Sequence, residues 1–146
     1  ADGSGEQALL VPAGGSRKPA TSETVENKEH FLKMNGKEVF KFAVTVIPDT
    51  VAKTLEKAGM EMSDIDLIVP HQANYRIVSA AAKKMNYPEE KFYMNLNKLG
   101  NTSGASIGLA LTEAYENGLV KKGDNLVFVG FGAGLSYASL VLKWAY

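Results

Sequence analysis

Apolar residues recur at helical spacing along much of residues 37–146. Lys37 to Ala58 carries apolar side chains three and four positions apart, as on one face of an amphipathic helix, and Gly59 ends the pattern. Pro48 lies within this stretch and predicts a kink or a break near Ile47. The same spacing predicts a second helix from Asn74 to Met85 and a third from about Ala105 to Asn117.

Short apolar runs between these helices predict the strands of a sheet. The predicted strands are Ile65–Val69, Phe92–Leu96, Leu126–Val129 and Leu135–Trp144. The first and third are almost continuously apolar, as in strands covered on both faces, whereas the last alternates and is expected to run back beside its predecessor. The order of elements therefore predicts an α/β fold, a layered mixed sheet with helices on both faces.

The N-terminal part of the sequence has a different composition. Residues 1–30 are rich in Gly, Pro, Ser, Thr and Glu and predict loop, and His30 in this polar sequence is expected at the surface. Unstructured loops beyond about 12 to 15 residues are uncommon in a compact domain, which favours a piece of a longer protein. We therefore predict a loop-rich lead-in segment over residues 1–36 and an α/β region over residues 37–146.

Charge and composition exclude several classes of protein. Sixteen basic and sixteen acidic side chains cancel, so overall charge predicts no binding to nucleic acid. No apolar run approaches the roughly 18 to 20 residues of a membrane span, and residues 1–7 lack a signal-peptide pattern, which predicts a cytoplasmic protein. The absence of cysteine excludes thiolate metal sites and a cysteine nucleophile within the chain. The sequence also contains neither an HExxH motif nor a histidine cluster, so it predicts no other metal site.

Two polar residues follow predicted strands, where open α/β sheets bind their ligands. His71 follows the predicted strand Ile65–Val69 and its terminating Pro70, and Asn101 lies in the loop before the third helix. Either both side chains face one crevice, or His71 is a hydrogen-bonded structural histidine and Asn101 a turn or cap residue.

A glycine-rich segment and a group of basic residues are further candidates. The segment GFGAG at 130–134 does not fit a dinucleotide-binding site, because such a site needs a helix after the glycines and here a strand is predicted. The segment predicts either a tight bend whose backbone N–H groups can hold an oxyanion or a simple hairpin. Arg76, Lys83 and Lys84 form a small positive patch on the second helix, or are solvated side chains.

Three motifs together carry a resemblance to a known family. VPHQAN at 69–74, GNTSGAS at 100–106 and GFGAGLSYAS at 130–139 resemble the β-ketoacyl-acyl carrier protein synthase III family, as do ADGSG and VPAGGSR near the start. The family has GNTSAAS where this chain has Gly104. The resemblance spans nearly the whole chain but only the C-terminal half of the family, which implies that residues 37–146 are the C-terminal half of the thiolase fold.

The resemblance implies a catalytic set of Cys, His and Asn, of which His71 and Asn101 are the last two. The cysteine belongs to the N-terminal half in this family, which is consistent with a cysteine-free chain. The implied reaction is a decarboxylative Claisen condensation of acyl-CoA with malonyl-acyl carrier protein, without a cofactor or a metal. His71 and Asn101 would donate hydrogen bonds to the malonyl thioester oxygen as it becomes anionic.

Further roles follow from the same resemblance. The backbone N–H of Ala133 would bind the acyl oxyanion, Phe131 would be an apolar gate, and Asn74 would orient the catalytic side chains or cap its helix. Arg76, Lys83 and Lys84 match positions that dock the acidic carrier protein.

The implied protein is a homodimeric synthase that initiates fatty-acid biosynthesis, and this chain without its N-terminal half is expected to be inactive in condensation. Two alternatives stay open: a related enzyme that condenses starters for polyketide synthesis, and a non-catalytic thiolase-like module that binds carrier protein.

Overall fold

The first residues of the chain form short regular elements. The computed structural model describes Ala1–Tyr146, and its N-terminal elements are a 3-10 helix at Gly3–Ala8, strand β1 at Leu9–Leu10, helix α1 at Ser22–Glu26 and strand β2 at Lys33–Met34. Strands β1 and β2 pair antiparallel. The prediction of a continuous loop over residues 1–30 is therefore wrong. The proposed division into residues 1–36 and 37–146 as domains stays a prediction.

A capping box explains why this polar sequence forms helix α1. Thr21 Oγ1 accepts from the Thr24 N–H, and Thr24 Oγ1 accepts from the Thr21 N–H. The same hydroxyl of Thr24, which is buried, lies 2.9 Å from His30 Nε2, so His30 is half-buried rather than at the open surface as predicted. Polar composition misled the interpretation because Ser and Thr are common in caps as well as in loops.

Helix α2 spans Gly36–Ala58 and is followed by Gly59, whose φ of 65° lies in the left-handed region. The prediction near Ile47 was a kink or a break; the helix continues through Pro48, so the break is wrong, and the kink stays a prediction. Pro48 cannot donate the usual backbone hydrogen bond. The helix face buries four side chains spaced four apart, Ala43, Ile47, Val51 and Leu55, and this burial offsets the lost bond.

The main sheet has three strands, β3 at Leu67–Pro70, β4 at Asn125–Gly132 and β5 at Ser136–Lys143, in the order β3-β4-β5. Strands β3 and β4 are parallel, with Leu67 opposite Leu126 and Pro70 opposite Val129. The connection from β4 to β5 is too short for a parallel crossover, so β5 runs antiparallel to β4. The predicted mixed sheet is confirmed.

The remaining helices are α3 at Tyr75–Lys84, α4 at Leu96–Leu99 and α5 at Ser106–Glu116. The predicted strand Phe92–Leu96 is wrong: Phe92 forms a single isolated bridge to Ile68, and α4 begins at Leu96. Phe92 is buried, so its apolar character reflects one core contact rather than a ladder of strand pairs.

Helices cover both faces of the sheet, as predicted. On one face, Ala110 and Ala114 of α5 join Leu67, Val69 and Leu126 in a hydrophobic cluster. On the other face, Ser139 Oγ of β5 donates to the carbonyl of Thr50 in α2 at 3.0 Å. No helix of the structure is long and apolar enough to span a membrane.

Candidate active site

Strand β3 delivers His71 to the carboxyl end of the sheet. The His71 N–H donates to the Val129 carbonyl at 2.8 Å, which continues the parallel pairing one residue beyond Pro70. A Cβ atom added to Gly130 would lie 3.9 Å from the Cβ of His71, so the neighbouring strand runs close beside it. The backbone therefore fixes where the imidazole projects, at the strand end predicted from the sequence.

The imidazole of His71 is half-buried between a hydroxyl and an aromatic ring. Its Nδ1 lies 2.6 Å from Ser106 Oγ. The ring of Phe131 packs edge-on against it, with centroids 5.5 Å apart and planes at 74°. Burial lowers the pKa of His71 because it disfavours the charged form. Burial therefore favours the neutral imidazole, which has one N–H to donate.

Ser106 and Gln72 support His71, and sequence reasoning did not single out either. Ser106 is the first residue of α5, and its Oγ also accepts from the Gln72 N–H at 3.2 Å. The carboxamide of Gln72 donates to the carbonyls of Pro70 and Tyr93 and accepts from the Asn95 N–H at 2.9 Å. Both side chains are buried, although nothing in their local pattern signals burial; the available signal was their place inside the VPHQAN and GNTSGAS motifs.

Asn101 lies in the exposed loop between α4 and α5, so its predicted position after a strand is wrong, because Leu96–Leu99 are helical. Its Oδ1 accepts from the Ser103 N–H at 2.9 Å, a turn of the kind that asparagine favours. This bond occupies the oxygen and leaves the Nδ2 hydrogens free to donate. The turn role and the donor role predicted from the sequence are therefore compatible in one side chain.

The loop of Asn101 is connected to His71 through Ser106. A 3-10 turn at Ser103–Ala105 leads from this loop into Ser106, whose hydroxyl contacts the imidazole. Both predicted donors thus belong to segments that meet where β3 ends and α5 begins. That their N–H groups reach one substrate oxygen stays a prediction.

Ala133 lies in the exposed turn between β4 and β5, and the bend is shorter than predicted because Gly130–Gly132 are part of β4. Leu135 is bound to Asp2 by two backbone hydrogen bonds, of 2.7 and 2.8 Å. Gly134 has a φ of 139°, and a Cβ there would lie 2.8 Å from the backbone nitrogen of Ser136. The ADGSG segment and one glycine therefore define this bend, and the oxyanion role of Ala133 stays a prediction.

Helix α3 carries the other predicted residues. Asn74 is its N-cap, with Oδ1 accepting from the Arg76 N–H at 2.8 Å, so the capping role is observed and support of His71 stays a prediction. Arg76, Lys83 and Lys84 are exposed and form no salt bridge. The chain contains no group of three or more His, Asp or Glu side chains that could hold a metal ion.

The lowered pKa of His71 predicts how stability changes with pH. The unfolded histidine takes up a proton below about pH 6.5, whereas the folded one resists, so the free energy of unfolding should fall as the pH drops from about 6.5 to 5.5. His71→Gln should remove this part of the slope. Urea denaturation at both pH values measures it; equal slopes in the two proteins would contradict the buried neutral state.

The same pH window separates the titration of His71 from that of Glu113. The pKa of Glu113 is lowered by hydrogen bonds from Lys98 and Asn95, so its contribution to stability is lost only below its ordinary range, at more acidic pH. The experiment therefore needs no correction for this group.

Comparison with known proteins identifies the family. Residues 55–144 match the family model 3-Oxoacyl-[acyl-carrier-protein (ACP)] synthase III C terminal. The chain is 55% identical over 146 residues to the beta-ketoacyl-[acyl-carrier-protein] synthase III of Fusobacterium nucleatum subsp. nucleatum. The match includes 100% of this chain but 44% of that relative, so the chain spans less than half of the relative's length.

Solved structures are similar along almost the whole chain. The 3-oxoacyl-(acyl carrier protein) synthase III of Pseudomonas aeruginosa PAO1 matches with a TM-score of 0.88 and 37% identity, over 99% of this chain and 43% of that one. The priming beta-ketosynthase of the R1128 polyketide biosynthetic pathway matches with a TM-score of 0.84 and 35% identity, over 99% and 42%. This chain therefore belongs to the 3-oxoacyl-[acyl-carrier-protein] synthase III family and carries the C-terminal half of its thiolase-fold enzyme.

Proposed function

We propose that this chain supplies His71 and Asn101 to a synthase that condenses acyl-CoA with malonyl-acyl carrier protein and so initiates fatty-acid biosynthesis. The observation that supports the proposal is that a hydrogen bond holds one atom of each side chain, Nδ1 of His71 and Oδ1 of Asn101, and leaves a nitrogen of each without a partner in the chain. Burial lowers the pKa of His71 and so favours its neutral form, whose Nδ1 is held by Ser106, and Asn101 has its oxygen bonded and its amide hydrogens free. Donors of this kind stabilise an oxygen that becomes anionic without having to transfer a proton.

The reaction has two covalent stages. The acyl group passes from coenzyme A to a cysteine of the N-terminal half, which the 44% match leaves outside this chain. Malonyl-acyl carrier protein then loses carbon dioxide, and the electron pair of the broken C–C bond forms an enolate. His71 and Asn101 hold the enolate oxygen while its carbon attacks the acyl thioester and the cysteine thiolate leaves. The Ala133 N–H binds the oxyanion of this second addition, and Phe131 borders the entrance beside the imidazole.

The outer surface of α5 supports the proposal that a further segment covers it. Gly108 and Thr112 are exposed, and Leu109 between them is 42% exposed although it is apolar. The occupant we propose is the N-terminal half, because the curated relative is more than twice the length matched here. A homodimer of the complete enzyme and a cytoplasmic location stay predictions from the resemblance.

The test is to join this chain to the N-terminal segment of the Fusobacterium relative, in place of that relative's own matched region. We expect this fused enzyme to form 3-oxoacyl-acyl carrier protein from a short acyl-CoA, and the chain alone to form none. The control replaces the nucleophilic cysteine of the N-terminal segment by alanine. A correctly folded fused enzyme without condensing activity would overturn the proposal in favour of a non-catalytic module.

The similarity to a priming polyketide ketosynthase favours one alternative, a starter enzyme for polyketide synthesis. Both enzymes would use the same donors, so the site of this chain does not separate them. Turnover of the fused enzyme with a series of acyl-CoA starters would be set partly by the added segment. The enzyme expressed from the complete reading frame of this protein, assayed with the same acyl-CoA series, distinguishes the fatty-acid enzyme from the polyketide enzyme.

Charge reversal on α3 tests carrier-protein docking. Lys83→Glu with Lys84→Glu should slow turnover with malonyl-acyl carrier protein about tenfold or more at low salt, because favourable charge speeds encounter with an acidic partner. Acylation by acyl-CoA should change little. The matched control is Lys121→Glu with Lys122→Glu, an exposed pair outside the patch. Equal losses in both half-reactions would exclude α3 as the docking helix.

A further inference from the structure

We propose that Ser106 is a positioning residue that holds His71 in the tautomer with its proton on Nε2. The inference deepens the proposed function and rests on it for its catalytic consequence, but the tautomer itself follows from contacts within this chain. Ser106 Oγ has two partners, His71 Nδ1 at 2.6 Å and the Gln72 N–H at 3.2 Å. Ser106 is 1% exposed, so solvent does not compete for these bonds.

The direction of the hydrogen bond between Ser106 and His71 follows from the bond between Gln72 and Ser106. A serine hydroxyl has one proton to donate, and its oxygen here already accepts from the Gln72 backbone. If Nδ1 also donated to this oxygen, the hydroxyl proton would need a further acceptor, and the buried Oγ has none within hydrogen-bond distance. Both bonds are satisfied when Ser106 donates to Nδ1. The ring proton then resides on Nε2, on the side away from Ser106.

The surroundings of the ring favour the same state. No carboxylate contacts Nδ1, so the arrangement lacks the group that stabilises an imidazolium in Ser-His-Asp sites. Phe131 covers the ring with an apolar edge, and burial lowers the pKa of His71. A histidine so placed is suited to donate from Nε2 rather than to accept a proton there. Ser106 also connects His71 to the start of the helix that follows the Asn101 loop.

Ring nitrogen NMR of the fused enzyme labelled with ¹⁵N-histidine tests the tautomer directly. His71→Ala assigns the signal of His71. In the unmodified protein we expect a protonated Nε2 and an unprotonated Nδ1, and in Ser106→Ala a mixture of both tautomers. A proton on Nδ1 in the unmodified protein, or an unchanged tautomer in Ser106→Ala, would overturn the proposal. The first of these outcomes does not depend on whether the variant folds.

The rate of malonyl-acyl carrier protein decarboxylation gives the second measurement. Ser106→Ala should lower kcat about ten- to hundredfold, the size of loss seen when the orienting partner of a metal-bound histidine is removed. Ser106→Thr keeps the hydroxyl and should recover part of this loss. The control is Ser139→Ala, which removes a hydroxyl bonded to Thr50 on the other face of the sheet. If the fused enzyme is active but Ser106→Ala changes neither its rate nor its tautomer, this inference alone is refuted. If the tautomers are as expected but the fused enzyme is inactive, only the proposed function is refuted.

Discussion

Asn101→Asp in the fused enzyme should lower the rate of malonyl-acyl carrier protein decarboxylation at least 100- to 1000-fold, the usual cost of one oxyanion donor. Aspartate keeps the oxygen that accepts from the Ser103 N–H, so the turn is retained. It replaces the donating amide by a negative charge beside an oxygen that is itself becoming negative. The loss should therefore exceed that of Asn101→Ala, which removes the donor without adding repulsion.

Two further variants complete this experiment. His71→Ala should cause a loss of similar size to Asn101→Ala, and the double variant should lose less than the product because both donors serve one oxygen. Asn97→Asp makes the same chemical change at an exposed position of α4 and should leave the rate within about twofold. Full activity in both His71→Ala and Asn101→Ala would reject the oxyanion site.

Gly134→Ala should destabilise the bend between β4 and β5 by about 3 kcal/mol or more, whereas Gly132→Ala should be close to neutral. A Cβ on Gly134 would lie 2.8 Å from the Ser136 backbone nitrogen, and the φ of 139° is strained for any other residue. At Gly132, in contrast, a Cβ would meet nothing within 4 Å. Urea denaturation measures both effects.

Hydrogen exchange locates the effect of Gly134→Ala. The amides of Asp2 and Leu135 bond to each other's carbonyls, so both should exchange faster if the bend opens. Because the bend carries Ala133, the fused enzyme with Gly134→Ala should also lose acylation of its cysteine. Equal stability of the two glycine variants would show that the backbone can relax around the added methyl group.

Local patterns predicted the elements that bury one regular face. The apolar spacing of α2 was sufficient to identify it, although Pro48 suggested an interruption that the buried face overrides. Phe92 shows the limit of the same reasoning. Its apolar neighbourhood resembled a strand, but only one bridge to Ile68 forms, because a single buried contact and a ladder look alike in a short sequence.

The sequence likewise predicted some residues of the candidate site and missed others. His71 was identifiable because it follows a recognisable strand and lies in a motif, whereas the strand predicted before Asn101 does not form and only its motif pointed to that residue. The resemblance assigned the chemistry of both side chains, so both were identifiable from the sequence. Ser106 and Gln72 were not, because a buried polar side chain is recognised by its partners, and those partners are distant in the sequence.

By itself the sequence determined the α/β order, the family and the residue types available for catalysis, because periodicity and motifs are properties of neighbouring residues. Only the tertiary structure decided that the hydroxyl of α5 meets the imidazole at the end of β3, and that Asp2 pairs with Leu135. Such contacts depend on how separate segments pack. The proposed tautomer of His71 depends on the same packing, because the buried Ser106 hydroxyl that donates to Nδ1 leaves the ring proton on Nε2.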